Sequence, residues 1–153
     1  MIVGLVSDTH GLVRPELFEA LKGVALILHA GDVGGQGVLD ELHVIAPVHA
    51  VFGNTDPPGD ATLRARVALD LEGLSIHVSH GHEVGSPTPE KLLARYSADV
   101  LVFGHTHKPL VERAGRRLVI NPGAAGPRRF SLKASVARLR VENGVADVEI
   151  VWL

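Results

Sequence analysis

With 153 residues the chain fits one domain, taken as residues 1–153, and its 46% hydrophobic but only 4% aromatic content calls for a core of Val, Leu, Ile and Ala. A formal net charge of −2 excludes a strongly basic protein built to coat nucleic acid, and the absence of cysteine excludes disulfides, thiolate zinc sites and cysteine nucleophiles. No apolar run approaches the roughly 18 residues of a membrane span, and Met1 leads into Ile2-Val3-Gly4-Leu5-Val6 without a basic start or cleavage site, so a cytoplasmic protein is expected.

Ile2 to Val6 reads as a strand covered on both faces, ending in Ser7-Asp8-Thr9-His10-Gly11. Pro15 opens a helix of about eight residues with Leu17, Phe18 and Leu21 on one face and Gly23 beyond its end. Val24 to Leu28 is the next strand, followed by His29-Ala30-Gly31-Asp32; a short helix spans 36–43, and a third strand over 47–52 ends in Gly53-Asn54-Thr55-Asp56. This alternation predicts parallel strands with right-handed crossovers, so the three polar loops should share one sheet edge, where ligands bind in such sheets. The middle of the chain changes character. Strands over 66–71 and 74–79 flank Glu72-Gly73 as a hairpin, and the second delivers His80-Gly81-His82. Thr88-Pro89-Glu90 starts a helix, and 99–103 is a strand running into Gly104-His105-Thr106-His107. Segments 110–113 and 118–120 pair around Ala114-Gly115, then Asn121-Pro122-Gly123 follows, and Asn143-Gly144 joins two last strands over 135–141 and 145–152.

Five strand ends thus carry Asp8/His10, Asp32, Asn54/Asp56, His80/His82 and His105/His107. Taken singly, a Gly-Asp or Asn-Thr-Asp is a turn residue bonding its own backbone, and a lone histidine beside an apolar strand is a packed or solvated group. Taken together, every one of the five ends in oxygen or nitrogen ligands while the helices hold little such chemistry, and this joint pattern points to a binuclear metal site. In an extended backbone His105 and His107 would face the same side about 6.5–7 Å apart, which suits one imidazole for each of two ions.

Asp8-Thr9-His10, Gly31-Asp32, Gly53-Asn54, His80-Gly81-His82 and Gly104-His105-Thr106-His107, in that order, resemble the calcineurin-like metallophosphoesterases. The small size and the Asn121-Pro122-Gly123 loop resemble the compact prokaryotic phosphodiesterases of that superfamily. The resemblance implies an α/β fold, a sandwich of two mixed sheets flanked by helices. It implies that Asp8, His10, Asp32 and His107 hold one divalent ion and Asp32, Asn54, His80 and His105 the other, with Asp32 as the bridge. Manganese is the first expectation, with nickel, iron or zinc as alternatives, since imidazoles suit these better than magnesium or calcium. The implied reaction is phosphodiester hydrolysis by in-line attack of a metal-bound hydroxide.

Two departures from the superfamily pattern stand out. Thr55 replaces the histidine that often follows Gly-Asn and assists the leaving group, and Ala124 replaces the serine common after Asn-Pro-Gly. Leaving-group help would then come from His82, solvent or a metal, which favours diesters with acidic leaving groups. His82 is therefore the catalytic candidate, with a merely structural role as its alternative. Asn54 and Arg128 are candidates for phosphate contact, although Arg128 and Arg129 read equally as solvated. His29 could orient ligands from behind or simply pack in its strand. Gly34, Gly35 and Gly37 lack the lysine of a phosphate loop. The expected substrate is a small phosphodiester; long nucleic acid is disfavoured by charge, no membrane is involved, and a homodimer or tetramer is implied by related small enzymes. The competing readings are a nucleotide hydrolase or nuclease using the same site, and a protein-binding scaffold like the retromer subunit that shares this fold.

Overall fold

A strand that is apolar along its whole length needs cover on both faces, and the architecture supplies it in four layers. The computed structural model describes residues 1–57, 62–129 and 131–153. Along the chain run β1 (Ile2–Val6), α1 (Glu16–Ala20), β2 (Leu26–His29), α2 (Gln36–His43), β3 (Val48–Ala50), β4 (Arg66–Leu71), β5 (Leu74–Ser79), α3 (Pro89–Arg95), β6 (Val100–Val102), β7 (Leu110–Ala114), β8 (Arg117–Asn121), β9 (Ser135–Glu142) and β10 (Val145–Trp152). They form two five-stranded sheets, β10-β9-β1-β2-β3 and β4-β5-β6-β8-β7. Both are mixed: β1, β2 and β3 run parallel while β9 and β10 are antiparallel, and β5, β6 and β8 run parallel between the antiparallel edges β4 and β7.

Alternate residues of each strand face opposite layers. Val3, Leu5 and Leu28 meet Ile76, Val78, Val100, Val102 and Ile120 between the sheets. Val6 and Ile27 on the other face of the first sheet take Leu17 and Leu21 around α1 and Leu39 and Leu42 of α2. Leu101, Phe103 and Val119 on the far face of the second sheet take Leu92 of α3. Each fully buried aliphatic side chain in these layers contributes about 1.5–3 kcal/mol, so the sandwich is a rigid base for whatever its loops hold. No described helix is long and apolar enough to cross a membrane.

The elements follow the sequence closely, with three differences. The first helix is five residues long with Pro15 as its N-cap, so it makes little more than one turn. Leu17 and Leu21 sit one turn apart and are fully buried, whereas Phe18, about 100° further round, is 40% exposed. The second and third strands are shorter than the apolar runs that suggest them, because Val24 packs between layers and Val51 leaves the ladder to bridge Arg64. The crossover pattern explains β1-β2-β3 but not the seating of the last hairpin, since β9 returns to pair with β1 from the other end of the chain. The Glu72-Gly73 and Asn143-Gly144 hairpins are of the expected kind, at positive φ in both central positions, whereas the third, between β7 and β8, turns on Gly115-Arg116 with positive φ at Gly115 alone.

Candidate metal centre

Parallel strands deliver their C-terminal ends to one edge, and here the ends of β1, β2 and β3 in one sheet meet those of β5 and β6 in the other. The loops are pinned together by backbone hydrogen bonds across them. Asp8 N–H donates to Gly31 O (3.0 Å), His10 N–H to Asp32 O (2.9 Å) and Gly104 N–H to His80 O (3.0 Å). The fit is so close that side chains are excluded in places: a Cβ on Gly53 would collide with the carboxylate and backbone nitrogen of Asp32, and one on Gly104 with Ser7 and Asp8.

Two buried carboxylates stand at the centre, and each has one oxygen tied to the protein and one left over. Asp8 Oδ2 accepts from the Ser7 hydroxyl (2.6 Å) and the His105 amide (3.2 Å). Asp32 Oδ1 accepts from the Thr55 amide (2.9 Å) and the Thr55 hydroxyl (2.8 Å). The other two oxygens face imidazole nitrogens. Asp8 Oδ1 lies 3.8 Å from His10 Nε2, 3.4 Å from His107 Nε2 and 4.0 Å from His80 Nε2. Asp32 Oδ2 lies between His10 Nε2 (3.6 Å) and His80 Nε2 (3.3 Å). On the outer side Asn54 Oδ1 is 3.0 Å from His80 Nε2 and 3.1 Å from His105 Nδ1.

This donor set fits divalent metal. Asp8 Oδ1 and His10 Nε2, both facing the cluster, are buried without a hydrogen-bond partner, a costly condition for polar atoms. Ligand atoms on bonds of about 2.1 Å stand roughly 3–3.5 Å apart, close to the spacings observed. The residues group as Asp8, His10 and His107, and as Asp8, Asp32 and His80. His105 and Asn54 adjoin the second group through His80. His80 donates its Nδ1–H to Ala30 O (2.8 Å), which leaves its Nε2 to face the cluster as a lone pair or as a second, charged N–H.

The electrostatics say the same. Burial works against ionising Asp8, yet His107, His80 and the Ser7 hydroxyl outweigh it and hold the carboxyl below its usual range. Burial likewise opposes the charge on Asp32, and His80 with the two Thr55 donors overcomes it, so this carboxyl too is held well below that range. Burial disfavours a charged His80, but Asp32 and Asp8 push its pKa up. The cluster therefore draws positive charge, whether a proton or a metal ion.

The backbone is strained where these residues sit. Asp8, His10, Asp32, His105 and His107 all have φ between 45° and 72°, and they are five of the seven described non-glycine residues in that region. Each such residue costs on the order of 1 kcal/mol or more. The extended reading of His105 and His107 is corrected here: both are left-handed, and they reach opposite ends of the cluster, His105 toward Asn54 and His80 and His107 toward Asp8.

Several residues hold these loops in place without entering the cluster. Asp56 is buried and accepts from the amides of Val33 (3.0 Å), Gly34 (3.1 Å) and Gly53 (2.9 Å), so it ties the second and third loops together. The Asn121 amide donates to Gly104 O (3.1 Å) and to Thr106 Oγ1 (3.0 Å). His29 is fully buried and accepts at Nδ1 from Gly31 N–H, so Nε2–H donates to Thr9 Oγ1 (2.9 Å), whose own hydroxyl donates to Val33 O. It therefore steadies loop backbones and touches no cluster side chain. Its burial pushes its pKa down to about 4. Asn-x-Asp after an apolar strand is the signal that marks Asp56, but the same spelling serves an ordinary turn. The Thr55 hydroxyl has no such signal.

His82 lies in a short 3₁₀ turn over His82–Val84 beside the cluster, with its ring centroid 5.3 Å from that of His80 and 6.5 Å from that of His105. Its Nδ1 is buried without a hydrogen-bond partner, 3.9 Å from Glu83 Oε1. Arg128 is exposed and, among the described residues, has no contact with the cluster.

Carboxylates and imidazoles converging on the strand ends of a two-sheet α/β sandwich define a candidate divalent-metal site of metallophosphoesterase type. The chain belongs to the calcineurin-like phosphoesterase superfamily, whose domain it matches over residues 1–144. It is 36% identical to a probable metallophosphoesterase of Methanothermobacter thermautotrophicus, over 99% of this chain and 92% of that protein. It is 32% identical to the phosphodiesterase YfcE of Escherichia coli K12, over 93% of this chain and 88% of that protein. Among solved structures it superposes on the zinc complex of Vps29 from Entamoeba histolytica with a TM-score of 0.83, at 23% identity over 99% of each chain.

Proposed function

We propose that this chain is a phosphodiesterase whose two divalent ions are held by Asp8, His10, Asp32, Asn54, His80, His105 and His107. The carrying observation is the pair of half-tied carboxylates, each fixed through one oxygen and offering the other to a ring of imidazoles. Asp32, whose Oδ2 lies between His10 Nε2 and His80 Nε2, would be the residue shared by the two ions. Manganese is the first choice and nickel, iron and zinc the alternatives, on the ground of a mixed carboxylate, imidazole and amide set without sulfur. Bound ions supply a water acidic enough to attack phosphorus near neutral pH and positive charge for the phosphate oxygens.

The chain's own residues do the rest. Asn54 sits at the outer rim, exposed, where its side chain can contact a phosphate oxygen as well as a metal. Thr55 cannot serve as the acid for the leaving group, because its hydroxyl proton is directed to Asp32. His82 stands on the open side of His80 and His105 and is the residue that protonates the departing oxygen. A second reading, a protein-binding scaffold, draws on the close superposition with Vps29.

Chelator-stripped protein, resupplied with Mn, Ni, Zn or Mg singly, separates the two on an aryl phosphodiester and its monoester. Metal-restored diester cleavage well above monoester cleavage is expected. No turnover of either ester with metal bound would favour the scaffold.

A further inference from the structure

A cavity of about 310 Å³ opens beside His82, at the small end of the usual ligand-pocket range of roughly 300–1,000 Å³. Its wall is formed by Phe52, Arg66, His82, Glu83, Arg95 and Tyr96. His82 belongs to both spaces. One side of its ring adjoins His80 and His105, and on another Phe52 stands with ring centroids 6.4 Å apart. A phosphodiester with its phosphorus over the cluster therefore has an ester arm within reach of this cavity.

Three of the wall's side chains, Phe52, His82 and Tyr96, are rings. Tyr96 stacks on His77 with centroids 3.9 Å apart, and its hydroxyl donates to Glu83 Oε2 (2.8 Å). Glu83 Oε1 accepts from the Gly81 amide (2.9 Å), so one carboxylate oxygen is held by the turn that carries His82 and the other by Tyr96. Arg66 and Arg95 are exposed, and among the described residues neither guanidinium has a carboxylate within ion-pair distance. Arg95 already lies over the Tyr96 ring, 5.7 Å from its centroid, so the ring faces of Phe52 and His82 together with the uncommitted Arg66 guanidinium suit a planar aromatic group that carries hydrogen-bond acceptors or π density. An alkyl arm would leave the rings wet and the Arg66 fork without a partner.

We propose that the cavity walled by Phe52, His82 and Tyr96 receives a planar aromatic ring borne on one ester arm of the phosphodiester, with Arg66 and Arg95 at its rim. This rests on the phosphodiesterase reading. The ring belongs either directly to the ester oxygen, as in an aryl ester, or to a nucleoside, and one cavity of this size takes one ring system rather than a nucleic-acid chain.

The test is binding of three uncleaved or slowly cleaved probes to manganese-loaded protein by calorimetry: methylphosphonate, phenylphosphonate and adenosine 5′-monophosphate. At least one aromatic probe should bind about fivefold or more tighter than methylphosphonate, the ratio expected of one ring stacked on aromatic side chains. A preference for phenylphosphonate alone assigns the ring to a position next to the phosphoryl group, as in an aryl ester, and one for the nucleotide alone assigns it to a nucleoside. The ratio should fall toward one in Phe52→Ala and in Arg66→Gln; the second lies at an exposed position and keeps the test open if the first misfolds. Equal affinity for all three probes, or a preference that survives both substitutions, overturns the proposal. Aryl diester turnover by the same preparation reports on the underlying reading: turnover without ring preference refutes the cavity alone, and absent turnover refutes both.

Discussion

Thr55→Val removes one hydrogen bond and little else. Valine keeps the branched shape and the backbone amide that donates to Asp32 Oδ1 at 2.9 Å, but it deletes the hydroxyl that donates to the same oxygen at 2.8 Å. A hydrogen bond to an ionised acceptor is worth about 1.5–3 kcal/mol when buried. Thr55 is exposed while Asp32 is buried, so water can replace part of that interaction and about 1 kcal/mol is the appropriate figure. Since about 1.4 kcal/mol is tenfold in affinity, Thr55→Val should weaken divalent-metal binding roughly fivefold, with a similar fall in kcat/KM at limiting metal. Competition against a chelator of known affinity reads the first, and diester turnover at graded manganese reads the second. Thr55→Ser restores the hydroxyl and should restore affinity. If valine binds metal as tightly as threonine, or serine fails as badly as valine, the hydroxyl does not set the Asp32 carboxylate and the half-tied geometry has been misread.

Other consequences follow from the same contacts. His105→Ala and Asp32→Asn should each lose bound metal and diester activity while circular dichroism and thermal unfolding still report a folded protein; full metal content and rate in either would break the ligand assignment. His29 is neutral when buried, with a pKa near 4 against 6.5 when unfolded, so the unfolded chain binds more protons between those values and stability rises with pH. The His29 share of that stability, read on metal-free protein as the difference from His29→Asn, should therefore fall by about 3 kcal/mol as pH drops from about 6.5 to 4, and an imidazole signal of His29 that titrates near 6.5 in the native state would contradict this. Gly53→Ala places a methyl against the Asp32 carboxylate, so metal binding should fall by more than tenfold, measured by the same chelator competition; near-normal affinity would mean the two loops are looser than they look.

Much of this arrangement was legible because local patterns and long-range demands agree. The Gln36–His43 helix, the β4–β5 hairpin and β10 fall where periodicity and turn residues put them. The first helix is shorter than its apolar spacing suggests: Leu17 and Leu21 take its inward face beside the residues of α2, and Phe18 stays 40% exposed. Placing β9 beside β1 depends on contacts more than 130 residues apart, which no local window records. At the site, the ligand types could be read from five strand ends. The backbone that aims them could not: Asp and His enter the left-handed region more readily than most residues, but nothing local in the sequence says that Asp8, His10, Asp32, His105 and His107 all do so. Asp56 and Thr55 stand out in the sequence but their cross-loop contacts do not, because one spelling serves a self-contained turn and a carboxylate or hydroxyl reaching across to another loop.

A pair of ions sharing Asp32 would be visible directly in manganese. Metal-free protein titrated with Mn(II) and followed by electron paramagnetic resonance should take up two equivalents per chain and develop the spectrum of two exchange-coupled ions, a coupling that Asp32→Asn weakens or removes. Uptake of one isolated ion per chain, or two ions without coupling, would contradict a centre built around a shared carboxylate.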